Sequence, residues 1–149
     1  MQYNPIMIQP FRDELTRIGF QELRNVGQVD EAVKLEGTNL LVINSVCGCA
    51  AGKARPGIAA ALRQSPVRPD HLTTVFAGGD VEATARVREH LANIPPSSPS
   101  MALFKNGVLV HFIPRFQIES RDPGQIALHL MDVFREHCSR TTSTELSKQ

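Results

Sequence analysis

The run Leu40-Leu41-Val42-Ile43 constrains this chain most. Four consecutive large apolar residues leave no face for solvent. A strand over residues 39–45 must therefore be covered on both sides, which is how a central parallel strand reads. At its end comes NSVCGCAAGKARPG, residues 44–57, in which small residues replace large ones. Cys47 and Cys49 thus stand one glycine apart where a buried strand stops and an Ala-rich segment of high helix propensity begins.

The rest of the chain supplies the cover. Ile8, Phe11, Leu15 and Ile18 recur at helical steps and stop at Gly19. Residues 20–24 read as an edge strand, and 28–35 as a helix closing at Gly37. Residues 49–64 favour helix, with a kink expected at Pro56, which lacks a backbone donor. A second strand, 72–77, ends at Gly78-Gly79, and Asp80 is placed to cap a helix carrying Ala83, Val87, Leu91 and Ile94. After the breaker PPSSPS, strands 101–105 and 108–113 flank Asn106-Gly107, a hairpin signal because both turn residues take positive φ. Asp122-Pro123-Gly124-Gln125 reads as a capping box with a first-turn proline, opening a helix with Ile126, Leu130, Phe134 and Cys138 on one face. The core order is β-α-β-α-β-β-α after an N-terminal preface: an α/β chain with a mixed central sheet flanked by helices. Residues 1–138 read as one domain and 139–149 as a polar tail.

Charge and composition exclude several classes. The formal net charge is +1 with Lys and Arg dispersed, so neither nucleic acid nor an anionic membrane is an expected partner. No run approaches the ~18 apolar residues of a membrane helix, and the N-terminus lacks a signal-peptide pattern, so the expected location is cytoplasmic. There, three cysteines make a poor structural framework, and two so close together point to redox or metal chemistry. A CxC carrier of zinc or copper is the alternative to a redox pair. Zinc normally takes four ligands, and Cys138 and five histidines offer no second C-x-C or H-x-H pair. The third possibility is plain packing at a helix start. Cys138 reads as a packed thiol rather than a catalytic one, His111 as a hydrogen-bonded sheet histidine rather than a base, and Arg115 as a solvated loop residue rather than a holder of an anionic group of a thiol cosubstrate.

The element order resembles the thioredoxin fold, with an extra N-terminal helix. PSMALFKNG, 99–107, is similar to the thioredoxin segment in which a cis-proline leads into the antiparallel strand. VCGC, 46–49, stands where thioredoxins carry a cysteine pair separated by two residues rather than one. Together with SSPSMALF (97–104) and HFIPR (111–115), NSVCGCAAG resembles the bacilliredoxins, from RDEL at 12–15 to FREHC at 134–138. The resemblance implies a thiol-disulfide oxidoreductase with no bound cofactor and bacillithiol as cosubstrate. Its partners would be proteins carrying mixed disulfides with that low-molecular-weight thiol, and disulfide isomerisation is a further implied activity. It also implies that Pro99 is cis and faces the cysteines, leaving the Ser98 backbone free to pair with substrate.

Disulfide exchange needs a thiolate, and an ordinary thiol with a pKa of about 8.5 is only a few per cent ionised at neutral pH. Cys47 precedes a helix whose first-turn N–H groups favour negative charge, and Lys53 and Arg55 are expected to add positive charge nearby. Cys47 is therefore the expected nucleophile and Cys49 the resolving residue. Gly48 is expected to permit a tight turn and leave room for an incoming sulfur. The small ring of a Cys-Gly-Cys disulfide suits a readily reduced, oxidising bond.

Overall fold

Thr38–Asn44 forms a strand, β2, buried at all seven positions. In the computed structural model, which describes residues 2–141, it lies at the centre of a five-stranded sheet. The preceding elements are helix α1 (Pro5–Thr16), strand β1 (Gln21–Glu22) and helix α2 (Val26–Val33). After β2 come helix α3 (Arg55–Gln64), the short strand β3 (Val67–Arg68), strand β4 (His71–Phe76) and helix α4 (Val81–His90). Strands β5 (Ser100–Lys105) and β6 (Val108–Ile113), helices α5 (Arg115–Glu119) and α6 (Pro123–His137), and strand β7 (Arg140–Thr141) complete the order.

The strand order is β1-β4-β2-β5-β6. β1 and β2 run parallel to β4, whereas β5 runs antiparallel to β2, with Leu41 opposite Thr73 on one side and Ala102 on the other. Alternation along β2 feeds two cores. Leu40 and Val42 join Met101, Ile58, Ile126, Leu130 and Phe134 on the face covered by α3 and α6. Leu41 and Ile43 join Val75, Val29, Val33, Ala83 and Val87 beneath α2 and α4. This is the mixed sheet, flanked by helices, that the hydropathy pattern predicts. β5 and β6 meet through Asn106 and Gly107 at φ 51° and 83°, as the Asn-Gly dipeptide requires. The capping box at Asp122 and Gln125 is formed.

Three local expectations change. The helix expected over 49–64 is not an α-helix with a proline kink: Ala50–Ala54 forms a wide π turn before α3 begins at Arg55. A π turn accommodates Pro56, which can neither donate to nor pack under the carbonyl four residues back. Asp80 precedes α4, but its side chain makes no cap hydrogen bond. Its carboxylate instead takes Arg12 at 2.8 and 3.0 Å and the Phe76 N–H at 3.0 Å. On α1, Arg12 is buried beside Ile8 and Leu15, where the sequence suggests Phe11 on the inner face. The tail expected over 139–149 lies largely outside the described residues; within them, Arg140–Thr141 pairs antiparallel with Val67–Arg68.

Candidate active site

β2 delivers the cysteine pair to the edge of the molecule, and Asn44 anchors the exit. Its Oδ1 accepts from the Ser45 N–H at 2.8 Å and from Arg55 Nη1 at 2.9 Å, while its Nδ2 donates to the Phe11 carbonyl at 3.1 Å. Arg55 Nη1 also donates to the Ser45 carbonyl at 2.9 Å. The loop is therefore tied from beneath just before Cys47. Cys47 and Cys49 are half-buried, Gly48 is exposed, and the thiols are unbridged. A Cβ added to Gly48 would meet nothing within 4 Å. The expected open space above Gly48 is present, although its φ is not in the left-handed region a tight glycine turn would need.

Burial opposes ionisation of Cys47, but it is outweighed. The Ser45 hydroxyl, the backbone N–H groups of Ala50 and Cys49, and the charge of Arg115 all favour the thiolate, and the pKa lies below the ordinary thiol value. The expected donors at the helix start are thus present, but the expected cations are not the ones at work. The Arg55 side chain is buried beneath the loop, with Nε 3.1 Å from Glu14 Oε1, and Lys53 Nζ donates to the Glu119 carbonyl. The cation is Arg115, whose own pKa is raised first by the Cys47 thiolate and then by its bond to Glu119.

Arg115 also brings the two loops together. Its Nη1 donates to the Ser98 carbonyl at 3.1 Å, and its Nη2 lies 4.0 Å from Cys49 Sγ. The Ser98-Pro99 peptide bond is cis, with Pro99 buried and Ser98 half-buried. Arg115 therefore bridges the Ser98–Pro99 segment and the CGC loop. A groove of about 480 Å³ opens alongside, lined by Ile94, Pro95, Phe112 and Phe116, and it shares Arg115 and Glu119 with the thiols. Phe116 is 65% exposed there. A half-exposed thiol with a lowered pKa, a second thiol two residues on and an apolar groove beside them can capture a sulfur and then release it.

Comparison with known proteins places this geometry. The family described as disulphide isomerase matches residues 3–138. A bacilliredoxin of Halalkalibacterium halodurans is 52% identical over 142 residues, covering 93% of this chain and 98% of the relative. The chain belongs to the bacilliredoxin family. Another bacilliredoxin, from Geobacillus kaustophilus, is 50% identical over 133 residues, covering 89% of this chain and 92% of its own. The fold is that of thioredoxin. Mitochondrial thioredoxin 3 of Saccharomyces cerevisiae superposes with a TM-score of 0.52 at 14% identity, over 80% of this chain and 96% of that one. Thioredoxin O2 of Arabidopsis thaliana gives 0.52 at 18% identity, over 79% and 96%. As a bacilliredoxin with this fold, the chain is a thiol-disulfide oxidoreductase.

Other residues singled out in the sequence fall outside the thiol site. Cys138, 8% exposed at the end of α6, is packed as expected, and burial raises its pKa. His111 is a hydrogen-bonded sheet histidine as expected, on β6 and paired with Leu103 of β5, with its ring turned to α6. Its Nε2 lies 3.0 Å from His129 Nε2 on α6, and Arg121 Nη1 donates to the other face of His129, at Nδ1. Among the described residues, no group of three or more His, Cys, Asp or Glu side chains is placed to hold a metal ion. None of their helices is long and apolar enough to cross a membrane. Sequence reasoning missed two residues at the site, Ser45 and Glu119. The Glu119 carboxylate lies 3.3 Å from Arg115 Nε, and this i,i+4 opposite-charge pair was the available signal.

Proposed function

We propose that this bacilliredoxin reduces mixed disulfides between cytoplasmic proteins and bacillithiol, with Cys47 as nucleophile and Cys49 as resolving thiol. The observation that carries this reading is the lowered pKa of a half-buried Cys47 with a second thiol two residues away. Cys47 thiolate attacks the bacillithiol sulfur, the protein thiolate leaves, and bacillithiol is held as a disulfide on Cys47. Cys49, as thiolate, then attacks Cys47 Sγ; the Cys47–Cys49 disulfide forms and bacillithiol leaves with the electron pair. Free thiol returns the pair to the reduced state. No bound cofactor enters the cycle.

Gly48 leaves the approach to Cys47 open. Ser98 and Pro99 form the docking edge, where the client backbone lies along the segment before the cis bond, and the client's apolar side chains occupy the groove beside Phe112 and Phe116. Disulfide isomerisation belongs to the same site, since a strained Cys-Gly-Cys disulfide is readily reopened by a client thiol rather than stored.

The test is a trap. With Cys49→Ser, exposure to a bacillithiolated protein should leave a stable adduct on Cys47 whose mass gives the thiol. An adduct on Cys49 in the Cys47→Ser protein, and none on Cys47 in the Cys49→Ser protein, would reverse the roles. Stoichiometric zinc or copper in protein purified under reduction, with no exchange activity, would replace this reading with that of a metal carrier.

A further inference from the structure

Resolution of a mixed disulfide requires Cys49 to lose a proton, because a thiol attacks only as its thiolate. One group among the described residues touches Cys49 Sγ as an acceptor: the Glu119 carboxylate at the end of α5, with Oε2 3.8 Å from the sulfur. Glu119 is held at its carboxylate and at its backbone. The same Oε2 accepts from Arg115 Nε at 3.3 Å, and the Glu119 carbonyl accepts from Lys53 Nζ on the π turn that follows the cysteines. Catalytic hydrogen bonds in a resting enzyme are commonly longer than in the reacting complex.

We propose that Glu119 is a catalytic residue, the proton acceptor that activates Cys49 for the resolving step. This inference rests on the assignment of Cys47 as attacking thiol and Cys49 as resolving thiol. The Cys49 proton passes to Glu119 Oε2, and the thiolate so formed bonds to Cys47 Sγ. The bond between Cys47 and the captured small thiol breaks, and that thiol's sulfur leaves with the electron pair. Glu119 then gives the proton to the leaving thiolate, and the carboxylate is restored. No oxidant or reductant is consumed beyond the two disulfides exchanged.

Charge supports the assignment. In the dithiol form, Arg115 faces two anions, the Cys47 thiolate and the Glu119 carboxylate. Once Cys47 is capped as a neutral disulfide, one anion remains. During proton transfer, that negative charge moves from the carboxylate to Cys49 and then to the leaving sulfur, all within reach of one guanidinium 4.0 Å from Cys49 Sγ. Arg115 therefore keeps one counter-charge throughout, and no isolated charge is created in a half-buried site.

The two steps can be read apart with dithiobis-nitrobenzoate, an aromatic disulfide whose thiol absorbs on release, in a Cys138→Ser background. Attack by Cys47 releases the first nitrobenzoate thiolate, and resolution by Cys49 releases the second. With Glu119→Gln, the second release should slow by about a hundredfold. It should also become steeply dependent on pH, rising with hydroxide, where the parent protein's rate is flatter. The first release at a given pH should be as fast or faster, because Arg115 loses its competing carboxylate. Glu119→Asp should recover part of the second rate. Equal second-step rates and pH profiles in the parent and Glu119→Gln proteins would overturn the role of Glu119. If the parent protein fails to release a second equivalent, or Cys49→Ser releases it as well, the assignment of the two cysteines fails instead.

Discussion

At Cys47, burial and hydrogen bonding pull the ionisation in opposite directions, and the donors win. The thiolate is therefore present above a midpoint lower than that of an ordinary thiol and is lost as pH falls through it. Alkylation of Cys47 by iodoacetamide, followed by mass spectrometry across about pH 5 to 10, should show that midpoint. Ser45→Ala should raise it, since the hydroxyl bond is the strongest favourable influence; Arg115→Met should raise it less. A midpoint unmoved by both substitutions would remove the account of Cys47 activation. The cysteine pair itself was legible, because strand and helix patterns place it at a junction. Its electrostatics were not. Lys53 and Arg55 are near in sequence, but one reaches for Glu119 and the other is buried under the loop. The effective cation, Arg115, is near Cys47 in space but distant from it in sequence.

Among the elements, those read correctly carry their signals locally: the Asn-Gly turn, the Asp122 capping box and the doubly buried β2. Those missed depend on partners distant in sequence. β3 and β7 are two residues each and exist only by pairing with one another, and α5 is a five-residue turn. Asp80 has a capping residue's identity, but Arg12 and Arg24 claim its carboxylate. The packing of α3 on α6 gives a sharp test at Gly57, where a Cβ would lie 2.6 Å from Ile126 Cγ2 and 3.2 Å from the Pro123 carbonyl oxygen. Gly57→Ala should cost about 1–3 kcal/mol in urea unfolding, the usual penalty for overpacking a closed contact. The His111–His129 contact between β6 and α6 predicts a pH dependence. Burial is the largest cause lowering both imidazoles; His137 lowers His111 further, and Arg121 and His111 lower His129, against weaker opposition from Glu136 and Asp132. The unfolded chain, with ordinary histidines near about 6.5, then binds more protons than the folded one. Stability from this pair is complete above that value and is lost as pH falls through the lowered folded values. His129→Gln should flatten the fall in unfolding free energy as pH drops below about 6.5.

Across the whole molecule, the N-terminal helix is held by charge as much as by apolar packing, and its attachments run to both the sheet edge and the thiol loop. Glu14 pairs with the Arg55 that supports Ser45, and the Arg55 guanidinium lies over the Phe11 ring, 5.1 Å from its centroid. At the sheet edge, Arg12, with a side chain 6% exposed, binds Asp80 and Glu22, and its guanidinium lies 5.2 Å from the Phe76 ring centroid. Asp80 in turn holds Arg24 and the Phe76 N–H, so one buried carboxylate joins α1, the segment after β1 and the end of β4. A buried pair adds little over apolar residues of the same volume, but removing one partner strands the other charge. Asp80→Asn, close to isosteric and still able to accept the Phe76 N–H, should therefore destabilise the protein, by less than the ~3–5 kcal/mol of a fully stranded charge because Glu22 still pairs with Arg12. Arg12→Met in the same chain should return part of that loss, because no under-compensated cation then remains buried. A double variant no more stable than Asp80→Asn alone would mean that the cation is not what makes the single change costly. The attachment of α1 would then rest on Ile8, Leu15 and the Arg55 contacts instead.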